Sequence, residues 1–148
     1  MKVKHYLFSI IAAAFLTSGM YHNTDLEVGK KAPVIETTEG INVGYDANSE
    51  AKKMVVSFWN PKNPESRMTN KKLSRQYGAN NPENIDFISI CTDSDEGLMQ
   101  EVMKIDGVRT EGNYAYSQIN PRTFKDYNVK ENPKAFLISA NGKIEKIL

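Results

Sequence analysis

Sulfur chemistry has almost no material in this chain. Its 148 residues hold one cysteine, Cys91, so a single copy cannot form an internal disulfide. Histidine is nearly as scarce: there are two, His5 and His22, both near the N-terminus. No set of His, Cys, Asp and Glu has metal-ligand spacing, so neither a metal nor another cofactor is expected. Asp93-Ser94-Asp95-Glu96 begins like a calcium loop. Leu98 and Lys104, however, stand where such a loop needs its glycine and its distal glutamate. A glycine-rich phosphate loop is missing. An excess of one charge is missing too, with 19 bases against 18 acids and a net charge of +1. No Lys/Arg cluster is interleaved with aromatic residues for base stacking, which argues against nucleic acid as a partner.

What is present suits one soluble globular domain. Hydrophobic residues are 40% and charged residues 25%. The length allows a sizeable single core. Residues 1–20 read as a separate segment, a signal peptide. Lys2 and Lys4 form a basic start, residues 6–16 an apolar run, and Thr17-Ser18-Gly19 supplies small residues for cleavage. The run is short for a membrane span, which needs ~20 apolar residues. An uncleaved N-terminal anchor is the alternative, and membrane contact follows only in that case. Thr17-Ser18-Gly19-Met20 also resembles a bacterial lipoprotein signal with Met20 in place of the acylated cysteine. Removal of residues 1–20 leaves 17 bases against 18 acids, a net charge of −1. Such a leader implies an exported protein, periplasmic or otherwise in the cell envelope.

Residues 21–148 are organised around Met54-Val55-Val56-Ser57-Phe58-Trp59-Asn60-Pro61-Lys62-Asn63-Pro64-Glu65-Ser66-Arg67. The apolar and aromatic run is too short for a helix and right for a buried strand. Pro61 and Pro64 end it. Asn63 is a strong helix N-cap, and Pro64 suits the first helical position. A strand that ends at a helix N-terminus is a common place for chemistry, because free N–H groups there stabilise an anion.

The flanking chain supplies the rest of an α/β order. Residues 26–36 read as a lead-in loop and a short edge strand, followed by a turn at Thr37-Thr38-Glu39-Gly40. Ile41, Val43 and Tyr45 alternate like a short strand. A helix is predicted over 64–77 with a thin apolar face of Met68, Leu73 and Tyr77, ended by Gly78. Residues 85–91 form a second buried strand. Asp93 and Glu96 resemble a capping box, and Leu98, Met99, Val102, Met103 and Ile105 repeat at helical spacing before Gly107. Residues 108–120 carry no clear pattern. A short helix is expected around residues 123–127 and a third core strand over 135–139. Asn141-Gly142 then marks a hairpin into a return strand over 143–148. Strand, helix, strand, helix argues for parallel pairing with crossover helices.

Three motifs carry a family resemblance. They are Gly29-x-x-Ala32-Pro33, Val55-Val56-Ser57-Phe58-Trp59, and Tyr127-x-Val129-x-x-x-Pro133-x-x-Phe136-Leu137-Ile138-x-x-x-Gly142-Lys143-Ile144. Over residues 28–148 the chain resembles the thioredoxin superfamily. The branch it looks most like is the secreted or membrane-tethered bacterial thiol–disulfide oxidoreductases, which overlap with peroxiredoxin-like domains. The resemblance implies a three-layer fold, a central mixed sheet flanked by helices, and a cis peptide before Pro133. It also implies a helix after the final hairpin, which the sequence lacks. Exposed apolar surface is therefore expected near residues 143–148, through truncation or because a partner or second copy covers it.

The family's Cys-x-x-Cys falls on Asn63-Pro64-Glu65-Ser66, with Arg67 after it. A dithiol site needs a thiolate at the helix end and a second thiol to resolve the mixed disulfide. An amide and a hydroxyl provide neither. A peroxidase would need a cysteine near this strand end, and none is there. The candidate binding residues are Trp59, Asn63, Pro64, Ser66, Asn132 and Pro133, with no catalytic residue assigned. In the family the backbone before the proline, here Asn132, pairs with an extended substrate chain. Each candidate also has a structural reading: Asn63 and Ser66 as helix cap, Trp59 as core or rim packing, and Pro133 as a folding turn. Cys91 is the lone thiol and reads as a small core residue.

Two functions follow. One is a degenerate thioredoxin-like binding or accessory module for an extended peptide or envelope protein. The other is an oxidoreductase or antioxidant protein acting through Cys91 alone. Partner identity and oligomeric state are not encoded in any motif.

Overall fold

The structure, a computed structural model, describes residues 26–44, 52–79 and 81–148. The leader expected over residues 1–20 lies outside the described residues, as does Tyr45. The elements run β1 (Met54–Trp59), α1 (Pro64–Tyr77), β2 (Asp86–Cys91), α2 (Glu96–Asp106), β3 (Asn113–Tyr114), α3 (Pro121–Asp126), β4 (Ala135–Ile138) and β5 (Ile144–Ile147). A single 3-10 turn, Tyr116–Gln118, precedes α3. The sheet order is β3-β2-β1-β4-β5. β1, β2 and β3 are parallel, and β4 runs antiparallel to both β1 and β5.

β1 lies at the centre and is buried along its whole length, as its unbroken apolar run requires. Its side chains alternate between two layers. Met54, Val56 and Phe58 join the core beneath α3, with Phe124, Tyr127 and Phe136. Val55 packs with Leu73 of α1, and Trp59 packs with Met99, Val102 and Met103 of α2. Helices thus cover both sheet faces, α1 and α2 on one and α3 on the other.

Local signals set the element ends. Asn63 accepts the Ser66 N–H at 2.9 Å and caps α1, with Pro64 at the first position. Gly107 closes α2 in the left-handed region at φ 65°. Asn141-Gly142 turns the β4–β5 hairpin, with Gly142 at φ 77°.

Four expectations are corrected. The cap of α2 is Asp95, whose Oδ1 accepts the Leu98 N–H at 2.9 Å; Asp93 lies outside the helix and accepts the Asp95 N–H instead. Met68 is 62% exposed. The buried face of α1 is Ser66, Asn70 and Leu73, because Asn70 has a partner in the sheet. No strand forms over residues 26–44. Only isolated bridges occur, Lys31 with Lys143, Glu36 with Asn42 and Thr37 with Ile119, since Pro33 has no N–H and Gly40 turns the chain. Ile41 is exposed and Val43 buried, so they do not share a strand face.

The exposure expected near residues 143–148 holds for part of that segment. Ile144 lies opposite Ile138 in the core, while Ile147 and Leu148 are 38% and 37% exposed at the sheet's open end.

A polar seam runs under α1. Ser89 Oγ donates to Asn70 Oδ1 at 2.9 Å, and both side chains are buried. Ser57 lies opposite Ser89 in the parallel register, yet its buried Oγ has no partner among the described residues. The two serines should therefore respond differently to truncation. Ser89→Ala removes Asn70's donor and should cost about 1–3 kcal/mol. Ser57→Ala removes an unpaired hydroxyl and should be neutral or stabilising. Urea unfolding of both variants checks this; equal losses would contradict the assigned pairing.

Candidate functional site

The turn from β1 into α1 is closed by three side chains. Asn60 Oδ1 accepts the Lys62 N–H at 2.8 Å, and the Asn60 carbonyl accepts the Asn63 N–H at 3.0 Å. Ser66 Oγ accepts the Asn60 N–H at 3.1 Å. Its own proton faces the carbonyls of Asn60 and Asn63, at 3.3 and 3.2 Å. Ser66 is only 8% exposed, whereas Asn63 and Pro64 are exposed.

This capping changes what the helix end can offer. Pro64 has no N–H, Ser66 N–H goes to Asn63 Oδ1, and Arg67 N–H goes to the Asn63 carbonyl. Only the Glu65 N–H of the first turn is left for a ligand. An anion expected from the strand-to-helix arrangement therefore finds one donor beside a carboxylate, a poor site.

Across from this turn runs the segment before β4. Phe58 N–H donates to the Lys134 carbonyl at 3.0 Å and ties that segment to the end of β1. The peptide before Pro133 is trans, contrary to the cis bond that the resemblance implied. The trans form is the lower-energy isomer for most X–Pro bonds. Between the two walls lies a groove of about 310 Å³. Asn63 at the cap of α1 and Glu65, Ser66 and Thr69 on the helix line one wall, Asn132, Pro133 and Lys134 the opposite wall, and Ile147 and Leu148 complete the lining.

Of the candidates named from sequence, Asn63, Ser66, Asn132 and Pro133 thus meet in one place. Trp59 does not; it is 1% exposed and packs under α2, so it offers no wall to a partner. Pro64 is exposed beside the groove without lining it. Sequence reasoning missed Glu65, Thr69, Lys134, Ile147 and Leu148. Helical spacing could have paired Glu65 with Thr69, and adjacency to Pro133 could have flagged Lys134. Nothing local brings residues 147 and 148 to α1.

Solved structures share this architecture. A thioredoxin-like protein from Parabacteroides distasonis is similar at 25% identity and TM-score 0.69, over 83% of this chain and 88% of its own. The thioredoxin domain of a thiol-disulfide oxidoreductase from Bacteroides vulgatus is similar at 19% identity and TM-score 0.62, over 83% and 89%. A secreted disulfide oxidoreductase from Mycobacterium tuberculosis is similar at 24% identity and TM-score 0.56, over 79% and 82%. The fold is that of the thioredoxin superfamily. No family model and no curated protein matches the sequence.

Within this thioredoxin-like frame, Cys91 ends β2 and is fully buried among Trp59, Met99, Val102 and Met103. Burial pushes its thiol up to about 11, and the thiol donates a 3.5 Å hydrogen bond to the Asp93 carbonyl, which only the protonated form can make. The nearby cation, Lys62, is 59% exposed and held by Asp93 at 3.0 Å. Cys91 is therefore a protonated core thiol at neutral pH. The native protein should resist iodoacetamide at pH 8 and label only after unfolding in urea. Rapid native labelling, read by mass spectrometry, would overturn this placement.

Arg67, the basic residue after the tetrad, turns from the groove toward α2. Its Nε and Nη2 donate to Asp106 at 2.6 and 2.8 Å, and Lys71 approaches at 3.5 Å. The hydrogen bond from Arg67, more than the charge of Lys71, lowers the carboxyl below its ordinary range. A depressed folded value stabilises the fold above the unfolded value of about 3.9 and is lost as pH falls through the folded one. Asp106→Asn should lower the urea midpoint at pH 7, by about 1–2 kcal/mol in stability. The gap to wild type should narrow below about pH 4. A gap independent of pH would mean that the ion pair is not its source.

Proposed function

We propose that this thioredoxin-like protein is an accessory module of the cell envelope that binds an extended peptide or partner protein without dithiol–disulfide chemistry. The observation that carries this reading is the first turn of α1. Where the resemblance sets the Cys-x-x-Cys, Asn63 and Ser66 engage their side chains in closing the turn. Neither can form a thiolate or a disulfide. The groove is nevertheless kept, with Asn63 and Ser66 on one wall and Asn132 and Pro133 on the other. Location outside the cytoplasm rests on the basic, apolar and small-residue order of residues 1–20. The alternative reading, chemistry through Cys91 alone, gains no support from a thiol that is buried and raised to about 11.

An insulin-reduction assay with dithiothreitol tests the missing chemistry. Wild type should show no turnover above the reductant alone. Asn63→Cys combined with Ser66→Cys should gain it, because the helix end lowers the pKa of a thiol placed there. Wild-type turnover that disappears in Cys91→Ser would sink the proposal. The binding half is read by NMR: unstructured peptides should shift the amides of Asn63, Ser66 and Asn132.

A further inference from the structure

The α3 face of the sheet is covered unevenly. At one end Phe124 and Tyr127 pack on Phe58, with ring centroids 6.4 and 4.8 Å apart. α3 is six residues long, so the other end, where Met54 lies opposite Ile138, falls to the lead-in segment. That segment forms no regular strand; Lys31 bridges Lys143 and Glu36 bridges Asn42, with Pro33 in between. It leaves a cavity of about 270 Å³ floored by Ile35, Val43, Met54 and Ile138, each of them buried. Val34, 62% exposed, stands at its mouth. The cavity shares no lining residue with the groove beside α1 and lies at the opposite end of β1, so the two sites are independent.

The polar part of the lining carries one sign of charge. Among the described residues, Lys31 is the charged side chain that borders the cavity, and Asn42 adds a neutral amide. Lys31 is exposed and makes no ion pair among the described residues, and neither does Lys143, opposite it in the bridge. Carboxylates on the neighbouring chain are engaged elsewhere. Glu27 holds Lys30 at 3.0 Å, Glu145 holds Lys53 at 2.9 Å, and Glu36 accepts from Asn120 at 3.1 Å. Charge at the mouth therefore complements an anion, while the aliphatic floor complements a hydrocarbon chain. Because Lys31 is at the surface, a head group there keeps part of its water and no charge is buried. The volume, at the low end for small-molecule sites, limits the chain to a short one.

We propose that this cavity binds a medium-chain aliphatic carboxylate, with the hydrocarbon on Ile35, Val43, Met54 and Ile138 and the head group at Lys31 and Asn42. Octanoate, octanol, octylammonium and butyrate are each titrated into isotope-labelled full-length protein at low salt, with affinity read from amide shifts. Octanoate should shift the amides of Ile35, Val43, Met54 and Ile138 and leave those of Asn63 and Asn132 in place. It should bind roughly two- to fivefold more tightly than octanol, the size of an exposed ion pair. Octylammonium should bind more weakly than octanol. Butyrate should bind at least about tenfold more weakly than octanoate, for want of buried CH2 groups. Lys31→Gln should bring octanoate and octanol together, and Lys31→Glu should reverse octanoate and octylammonium. Both substitutions lie at an exposed position outside any helix or strand, and the amide spectrum reports whether the fold is intact. Octanoate shifts that miss the four floor residues, or none at all, would overturn the site. Equal affinities for octanoate, octanol and octylammonium, or an octanoate affinity unchanged in Lys31→Glu, would overturn the choice of an anion and with it the proposal.

Discussion

The hydrogen-bond closure of residues 60–66 is the constraint on which the site depends. A central strand ends there and a helix begins within a few residues, so several backbone groups lose their regular partners. Three polar side chains take them up: Asn60 receives Lys62, Asn63 receives Ser66, and Ser66 receives Asn60. The result is a rigid turn with little left to offer a ligand from its own backbone. A ligand at this end would therefore meet the groove beside the turn rather than free donors of the helix terminus.

Two further contacts hold α1 in place. Along its buried face, Asn70 meets Ser89 of the central sheet. Along its flank, Arg67 and Lys71 meet Asp106 at the end of α2. Directional contacts on two sides fix the helix in rotation as well as position, which a purely apolar face would do less strictly. The groove inherits that precision, because Glu65, Ser66 and Thr69 lie on this same helix. Its other wall is fixed by the Phe58 N–H bond to Lys134. Both walls are therefore referred to β1.

Much of the frame was legible in the sequence because its signals are local. Asn63-Pro64 gave the start of α1, Gly107 the end of α2, and Asn141-Gly142 the hairpin, and each works through its own backbone geometry. The apolar runs at 54–59 and 135–138 marked the core strands for the same reason. What stayed hidden was non-local. Asn70 is polar and buried only because Ser89 stands across from it, so Met68 looked like the better core residue. Asp95 displaced Asp93 as the cap because Asp93 is occupied by Lys62 and the Asp95 N–H. Of the site, the pairing of 63 and 66 with 132 and 133 came from resemblance, and the structure brings the four together. The approach of Ile147 and Leu148 required the β4–β5 register, which no local motif states.

Ser66 and Cys91 divide between them the requirements of thiol chemistry. Thiol chemistry needs three conditions at once: a sulfur, access, and a field that favours the thiolate. The start of α1 keeps the field at a helix end, yet holds a hydroxyl there, already bonded on both sides. Cys91 keeps the sulfur but lies in a sealed apolar cluster, where burial favours the neutral form. Lys62 cannot compensate, since its charge is screened by water and paired with Asp93. No small shift of side chains unites the three, because Ser66 is tied to the turn and Cys91 to the β2–α2 core. Beside the turn the structure offers shape and charge instead: two walls, the oppositely charged Glu65 and Lys134, and the aliphatic side chains of Ile147 and Leu148.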